Sequence, residues 1–442
     1  MKISWLDLKD RVGYELTQLK EEGCDVSALN EKWEHIKSGF GLGEIPTEIV
    51  ENFYKELSLL TPAAGSRKEP SGWEEIRVAF PASKYPKHNL SSAELENRIL
   101  GGWLGRSAGC LLGKPIEKTP RNGIIELLSS NNTWPITDYI TGKGIPDELL
   151  KKYPWNKHSG KESLKENIEC MTEDDDMNYP MLNLSVLEKY GKAFSTSSVA
   201  QTWMELLPVL STFTAERVTY LNLLNGLGTE KASSVRNPYR EWIGAQIRAD
   251  LWGWAAPGDP HTAADSAWRD ARLSHSANGI YGEVFFAAAL ALSFTYNDMR
   301  SLITEALRFV PANSRFAAAI NYVLSLEIEN EAWDSTVDLL YGKFGDYHWV
   351  HTINNAALVS AALLSAKGDY ETAVCNVVMG GWDTDSNGAT TGSIMGTMLG
   401  ADSLPAKWIK PLNNRIRSSM KGFDNLSFDI LAKRTFNIAI TT

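Results

Sequence analysis

The chain has 442 residues, 43% of them hydrophobic and 22% charged, which suits at least one large buried core and excludes a disordered or low-complexity protein. A formal net charge of −10 excludes a nonspecific nucleic-acid binder, which needs a basic surface to displace counterions from phosphates. The longest apolar run, Val284 to Phe294, falls short of the ~20 residues that cross a membrane, and the charged start MKISWLDLKDRVGYEL lacks a secretory apolar stretch, so a cytoplasmic protein without a membrane partner is expected.

Along the chain, Leu8, Val12, Leu16 and Leu19 fall on one helical face and open a helical N-terminal extension, residues 1–90. Within it TPAAGSRKEPSG, residues 61–72, has the composition of a linker. Ser91-x-x-Glu94 is a capping-box pattern that starts a long helix and the second unit, residues 91–442. In that helix Gly101, Gly105, Gly109 and Gly113 recur every fourth position, a bare stripe against which another backbone can pack. Each glycine costs a helix about 1 kcal/mol relative to alanine, so four of them call for a packing reason. Helical spacing continues after Pro180, from Val199 to Leu207, and through 282–296, 301–309, 353–366 and 370–379. Period-two alternation is not sustained anywhere, and no fixed repeat is visible, so the expected fold is an all-α multi-helix bundle. Cys24, Cys110, Cys170 and Cys375 form no CxxC pair and signal neither a zinc site nor a disulfide framework.

Two acidic clusters carry the chemistry. Glu173 to Asp176 are four consecutive acids that repel one another unless solvated, placed at a helix start or neutralised by a cation; Pro180 marks a helix beginning just beyond them. The second, WDTDSNGATTG, sets Asp383, Asp385 and Ser386 in a Gly-flanked loop whose first six positions match an EF-hand. Ile394 stands where that loop needs its bidentate glutamate, which removes the calcium-loop reading. Carboxylate and hydroxyl oxygens without Cys or His favour magnesium, manganese or calcium over zinc.

Three stretches in order, GGWLGRSAGCLLGKPIE, EDDDMNYPMLNLSVLEKYG and GGWDTDSNGATTGSIMG, resemble the ADP-ribosylglycohydrolase family, which includes the dinitrogenase reductase-activating glycohydrolases. NPYREWIGAQIRADLWGWAAPGDP and DARLSHSANGIYGEVFFAAALA are similar to middle helices of its longer bacterial members. The resemblance covers roughly residues 95–410 and implies an all-α hydrolase of the bond at ribose C1 of an ADP-ribosyl substrate, with two Mg2+ or Mn2+ in a cleft.

By position, the resemblance implies Asp174, Asp175, Asp176, Asp383, Asp385 and Ser386 as metal ligands, with Asp175 also catalytic and Glu117 handling the proton. It also implies that His275, Asn278, Gly279 and Tyr281 face the substrate. Asp174 and Met177 stand where threonine is usual and Cys110 where many members have aspartate, which keeps two alternatives open: a hydrolase of a small N-riboside or nucleoside, and a non-catalytic, crystallin-like member.

Overall fold

The structure is a computed structural model that describes residues 6–41, 43–63, 68–82 and 84–441. Helices occupy 61% of the chain, and among the described residues no strand forms, only isolated bridges such as Met171 with Ile416. No helix among them is long and apolar enough to cross a membrane. The fold is all-α.

Three helices make up the start of the chain: α1 (Leu8–Glu21), α2 (Ser27–Phe40) and α3 (Thr47–Leu57). Val12, Leu16, Trp33, Val50 and Phe53 form a small core of their own between them. The far larger core of the chain lies beyond residue 75 and surrounds α4 (Ser92–Gly113). Ser91 caps α4 as its sequence foretells: its hydroxyl accepts the Glu94 amide while the Glu94 carboxylate takes the Ser91 N–H at 2.8 Å.

The glycine stripe of α4 meets a second stripe. Gly101, Gly105 and Gly109 face the backbone carbonyls of Gly396, Gly392 and Gly388 on α9 (Thr384–Leu399), and Gly113 faces that of Thr384. The two helices run antiparallel, so the end of α4 lies against the start of α9. A methyl group at any of these α4 positions would overlap a carbonyl of the partner helix. Around this seam pack α5 (Asp175–Tyr190), α6 (Ala277–Leu292), α7 (Thr352–Ser365) and α8 (Tyr370–Met379), whose apolar faces supply much of the core.

The N-terminal helices dock onto the rest through buried ions. Arg240 bonds Glu15 and Glu22 of the first helical segment at 2.8 Å each, and Gln18 donates to Glu241 at 2.8 Å. Glu241 also receives Arg315 at 2.7 Å and Asn278 at 2.8 Å. Residues 64–67 of the expected linker lie outside the described residues, but its later part is pinned. Glu69 pairs with Arg315 at 2.6 Å, and the Pro70 carbonyl accepts the Tyr281 hydroxyl at 2.5 Å.

Burial on its own would raise the Glu241 carboxyl, but Arg315, then His351 and Asn278, outweigh it and hold it well below the usual carboxylate range. A carboxylate depressed in the folded state stabilises the fold above its unfolded pKa of about 4.3 and loses that contribution as pH falls below it. Glu241→Gln is expected to cost about 3 kcal/mol at pH 7, because Arg315 loses a buried counter-charge. The gap between wild-type and variant melting temperatures should narrow as pH is lowered from about 5 to 3. A constant gap would contradict the assigned role of the charge.

Candidate active site

Both acidic clusters lie at helix N-termini, where backbone N–H groups and the helix dipole favour negative charge. Asp174 is the N-cap of α5, its carboxylate accepting the Asp176 amide at 2.9 Å. The helix thus begins well before Pro180, which sits inside it rather than at its start. The misplacement has a use. A proline at 180 has no N–H to give the carbonyl four residues back, that of Asp176. Arg106, fully buried on α4, takes that carbonyl instead through Nε at 3.0 Å and Nη2 at 2.7 Å, and Nη2 also reaches Asp176 Oδ1 at 3.2 Å. Its other arm pairs with Asp250 at 2.8 Å. Pro180 and Arg106 together fix where the Asp176 carboxylate points.

The second cluster is a helix start, not a loop: Asp383 is the N-cap of α9, and Asp385 and Ser386 are in its first turn. The turn before it places Trp382 at φ 56°, a left-handed conformation that costs a non-glycine residue about 1 kcal/mol or more, held by stacking on Tyr341 at 4.4 Å. Trp382 is therefore packed and does not line the cavity described below. The seam between α4 and α9 brings the clusters together, and the Ser386 hydroxyl donates to Asp176 Oδ2 at 3.1 Å. Oxygens of Glu117, Asp383 and Asp385 come within 4.8 Å of one another, as do ligand atoms of Cys110, Asp174 and Asp176.

Lys114, one residue past α4, stands between them. Its Nζ lies 2.6 Å from Asp174 Oδ2, 2.7 Å from Asp385 Oδ2 and 3.2 Å from Glu117 Oε2. Burial would lower this ammonium, but the three carboxylates outweigh it and keep it protonated. Burial, and after it mutual repulsion, pushes the carboxyls of Asp175 and Asp383 well above the ordinary range. Burial does the same at Asp176 against the pull of Arg106, and it raises Glu117 with help from Asp385. Asn156 donates to Glu117 and holds it in place.

Such mutual repulsion is what a divalent cation relieves. Apart from the Cys110 sulfur the available donors are hard oxygens, and Asp174 Oδ2 and Asp385 Oδ1 are buried with no hydrogen-bond partner. The residues present fit a magnesium- or manganese-type ion.

The clusters open into a cavity of about 300 Å3 lined by Lys114, Glu117, Asp175, Asp176, Asp383, Asp385 and Ser386. The lining also carries an aromatic group: Trp242 and His348 stack at 4.2 Å, and Tyr14 of α1 sets its ring edge-on to both, at 5.6 and 5.9 Å. Burial, then His351, pulls His348 down to about 4, so its ring is neutral at pH 7. An aromatic face in one cavity with a charged floor suits a ligand with a planar apolar part and a polar part.

His275, Asn278, Gly279 and Tyr281, expected to face substrate, do not line this cavity. All four are buried at the start of α6 among partners within the chain. His275 Nδ1 bonds Ser274 at 2.8 Å, Asn278 holds Glu69 and Glu241, and Tyr281 caps the Pro70 carbonyl. Gly279 has the Arg240 carbonyl where a side chain would go. Lys114, Arg106, Tyr14, Trp242 and His348 are the residues that the sequence did not single out. Lys114 and Arg106 left a trace as cations inside the same GGWLGRSAGCLLGKPIE stretch that supplied Glu117, and Trp242 lies in the quoted NPYREWIGAQIRADLWGWAAPGDP stretch.

The profile of the ADP-ribosylglycohydrolase family matches residues 91–437 of this chain. Among solved structures, a chain described as an ADP-ribosylglycohydrolase-related protein complex is similar at 16% sequence identity. It covers 79% of this chain and 100% of its own length, with a TM-score of 0.45. No curated protein sequence gives a significant match.

Proposed function

The chain belongs to the ADP-ribosylglycohydrolase family, and from that premise we propose that it is a divalent-cation-dependent hydrolase of a ribosyl C1 glycosidic bond, with an ADP-ribosylated compound as substrate. The observation that carries this reading is the convergence of Asp174, Asp175 and Asp176 with Asp383, Asp385 and Ser386 beneath an aromatic-walled cavity. Asp174, Asp175, Asp176, Asp383, Asp385 and Ser386 are the residues that would hold the cation. When bound, it supplies Lewis-acid attraction for ribosyl oxygens and offsets the charge of the cluster.

The side chains do the rest. Tyr14, Trp242 and His348 present rings against which a base can lie, which leaves the ribosyl end toward the acidic floor. Departure of the acceptor from C1 leaves positive charge on the sugar ring, and the carboxylates of the floor stabilise it. Glu117 lies at the cavity surface with its oxygen oriented by Lys114 and Asn156, a placement suited to taking a proton from water or giving one to the departing group. Glu117→Gln is expected to lower kcat by about 100-fold to 10,000-fold, the usual range for a proton-transfer group, with a smaller change in KM. An unchanged kcat would move that role to another residue.

The test of the reading is hydrolysis with added Mg2+ or Mn2+ across ADP-ribosylated peptides, ADP-ribose esters and free nucleosides, followed by release of the ribosyl product. Turnover of nucleosides alone would shift the substrate to small N-ribosides. Absence of both turnover and cation binding would favour a non-catalytic member.

A further inference from the structure

Among the described residues, Lys114 is the one cation that reaches both clusters at once. Its side chain is almost wholly buried, and an ammonium has three N–H donors and no acceptor. Three carboxylate oxygens surround it, one from Asp174 at the start of α5, one from Asp385 at the start of α9 and one from Glu117. Asp385 and Glu117 accept hydrogen bonds from it, and Asp174 lies in ion-pair contact at 2.6 Å, so one ammonium sits among three carboxylates drawn from both clusters.

A divalent ion bridging Asp174 to Asp385 would need these same oxygens at about 2.0–2.2 Å. Two centres of positive charge cannot share them at that range. The oxygens that Lys114 leaves open lie on the other side: Asp385 Oδ1, buried and unpartnered, and Asp176 Oδ2, whose neighbour at 3.1 Å is the Ser386 hydroxyl. Those oxygens with Asp175 and Asp383 suffice for one hexacoordinate ion that keeps some of its water.

We propose that the Lys114 ammonium is a built-in replacement for one of two divalent ions, so that this chain holds a single exchangeable ion where the resemblance in its sequence implies a pair. The proposal rests on the cation-dependent reading above. Lys114 is then a positioning residue. It draws Asp174, Asp385 and Glu117 together as an ion would, but it is covalently tethered and cannot be removed by a chelator.

The test counts ions. The full-length chain, stripped with a chelator, is titrated with Mn2+ alone, and bound metal is measured by calorimetry and by the electron paramagnetic resonance of the bound ion. Wild type is expected to bind one Mn2+ per chain with the spectrum of an isolated ion. Lys114→Met, which keeps the stem and removes the charge, is expected to bind two with a spin-coupled spectrum. Lys114→Gln serves in its place if the methionine variant does not fold. Two ions bound by wild type would overturn the proposal and leave the cation-dependent reading standing, a result that needs no variant. One ion in both wild type and variant would also overturn it. If neither binds Mn2+, the cation-dependent reading itself fails, and the proposal with it.

Discussion

Asp385→Asn is expected to lower kcat/KM for the ribosyl substrate by about a thousandfold or more, equivalent to ~4 kcal/mol of lost transition-state stabilisation. Asp385 stands where the two halves of the site meet: Lys114 occupies one of its oxygens and the other is buried with no partner. Substitution by the isosteric amide removes one charge from the cation-binding floor while its shape is kept. The fold should suffer little, because Lys114 keeps Asp174 and Glu117 as counter-charges. Asp383, Asp385 and Glu117 crowd their oxygens together, so neutralising one relieves repulsion in the metal-free protein. The expected result is an inactive variant whose metal-free melting temperature stays close to that of wild type. Full activity across the substrate panel would show that the floor is not where chemistry occurs. A melting temperature that fell steeply would make Asp385 a structural residue instead.

Gly109→Ala is expected to produce the opposite pattern, losing stability first and activity as its consequence. The added methyl would overlap the Gly388 carbonyl, a backbone group that cannot rotate away, so α4 and α9 must separate. A cost of about 3 kcal/mol is expected, at the upper end for overpacking, and denaturant unfolding would read it as a lower midpoint at similar slope. Activity should fall as well, because Lys114 and Glu117 follow α4 while Asp383, Asp385 and Ser386 begin α9. Gly13→Ala is the control. Gly13 is also helical, but nothing lies within 4 Å of its would-be methyl, and that change should stabilise by up to about 1 kcal/mol. Equal effects at the two positions would mean that the seam does not set the helix spacing.

Local signals in the sequence are legible where short-range physics decides them. The Ser91/Glu94 capping box needs only its own four residues, and it forms. The Gly101 to Gly113 stripe announced a close approach, and the second stripe, Gly388, Gly392 and Gly396, stood in the quoted WDTDSNGATTGSIMG stretch without being recognised as its counterpart. Pairing depends on tertiary register, which periodicity does not carry. Pro180 points to a helix start because proline is favoured there. Burial of Arg106 against the orphaned Asp176 carbonyl makes an interior position tolerable, and that arginine is 70 residues away.

Lys114 is hidden in the sequence for the same reason. Next to Gly113 and Pro115 it looks like a helix end, and its partners Asp174 and Asp385 are distant in sequence. His275 to Tyr281 lie outside the cavity lining: a polar helix start with a glycine and a tyrosine suits a ligand or a buried network equally, and here Glu69, Pro70 and Glu241 pack against it.

Tyr14 comes from a stretch of chain ahead of the family match at residues 91–437, yet its ring lines the same cavity as the acids. On the function proposed above, the group that meets a planar ligand and the carboxylates that meet its ribosyl end belong to separate parts of the chain, so a change in the first helix alters which planar group the cavity accepts while every carboxylate stays as it was.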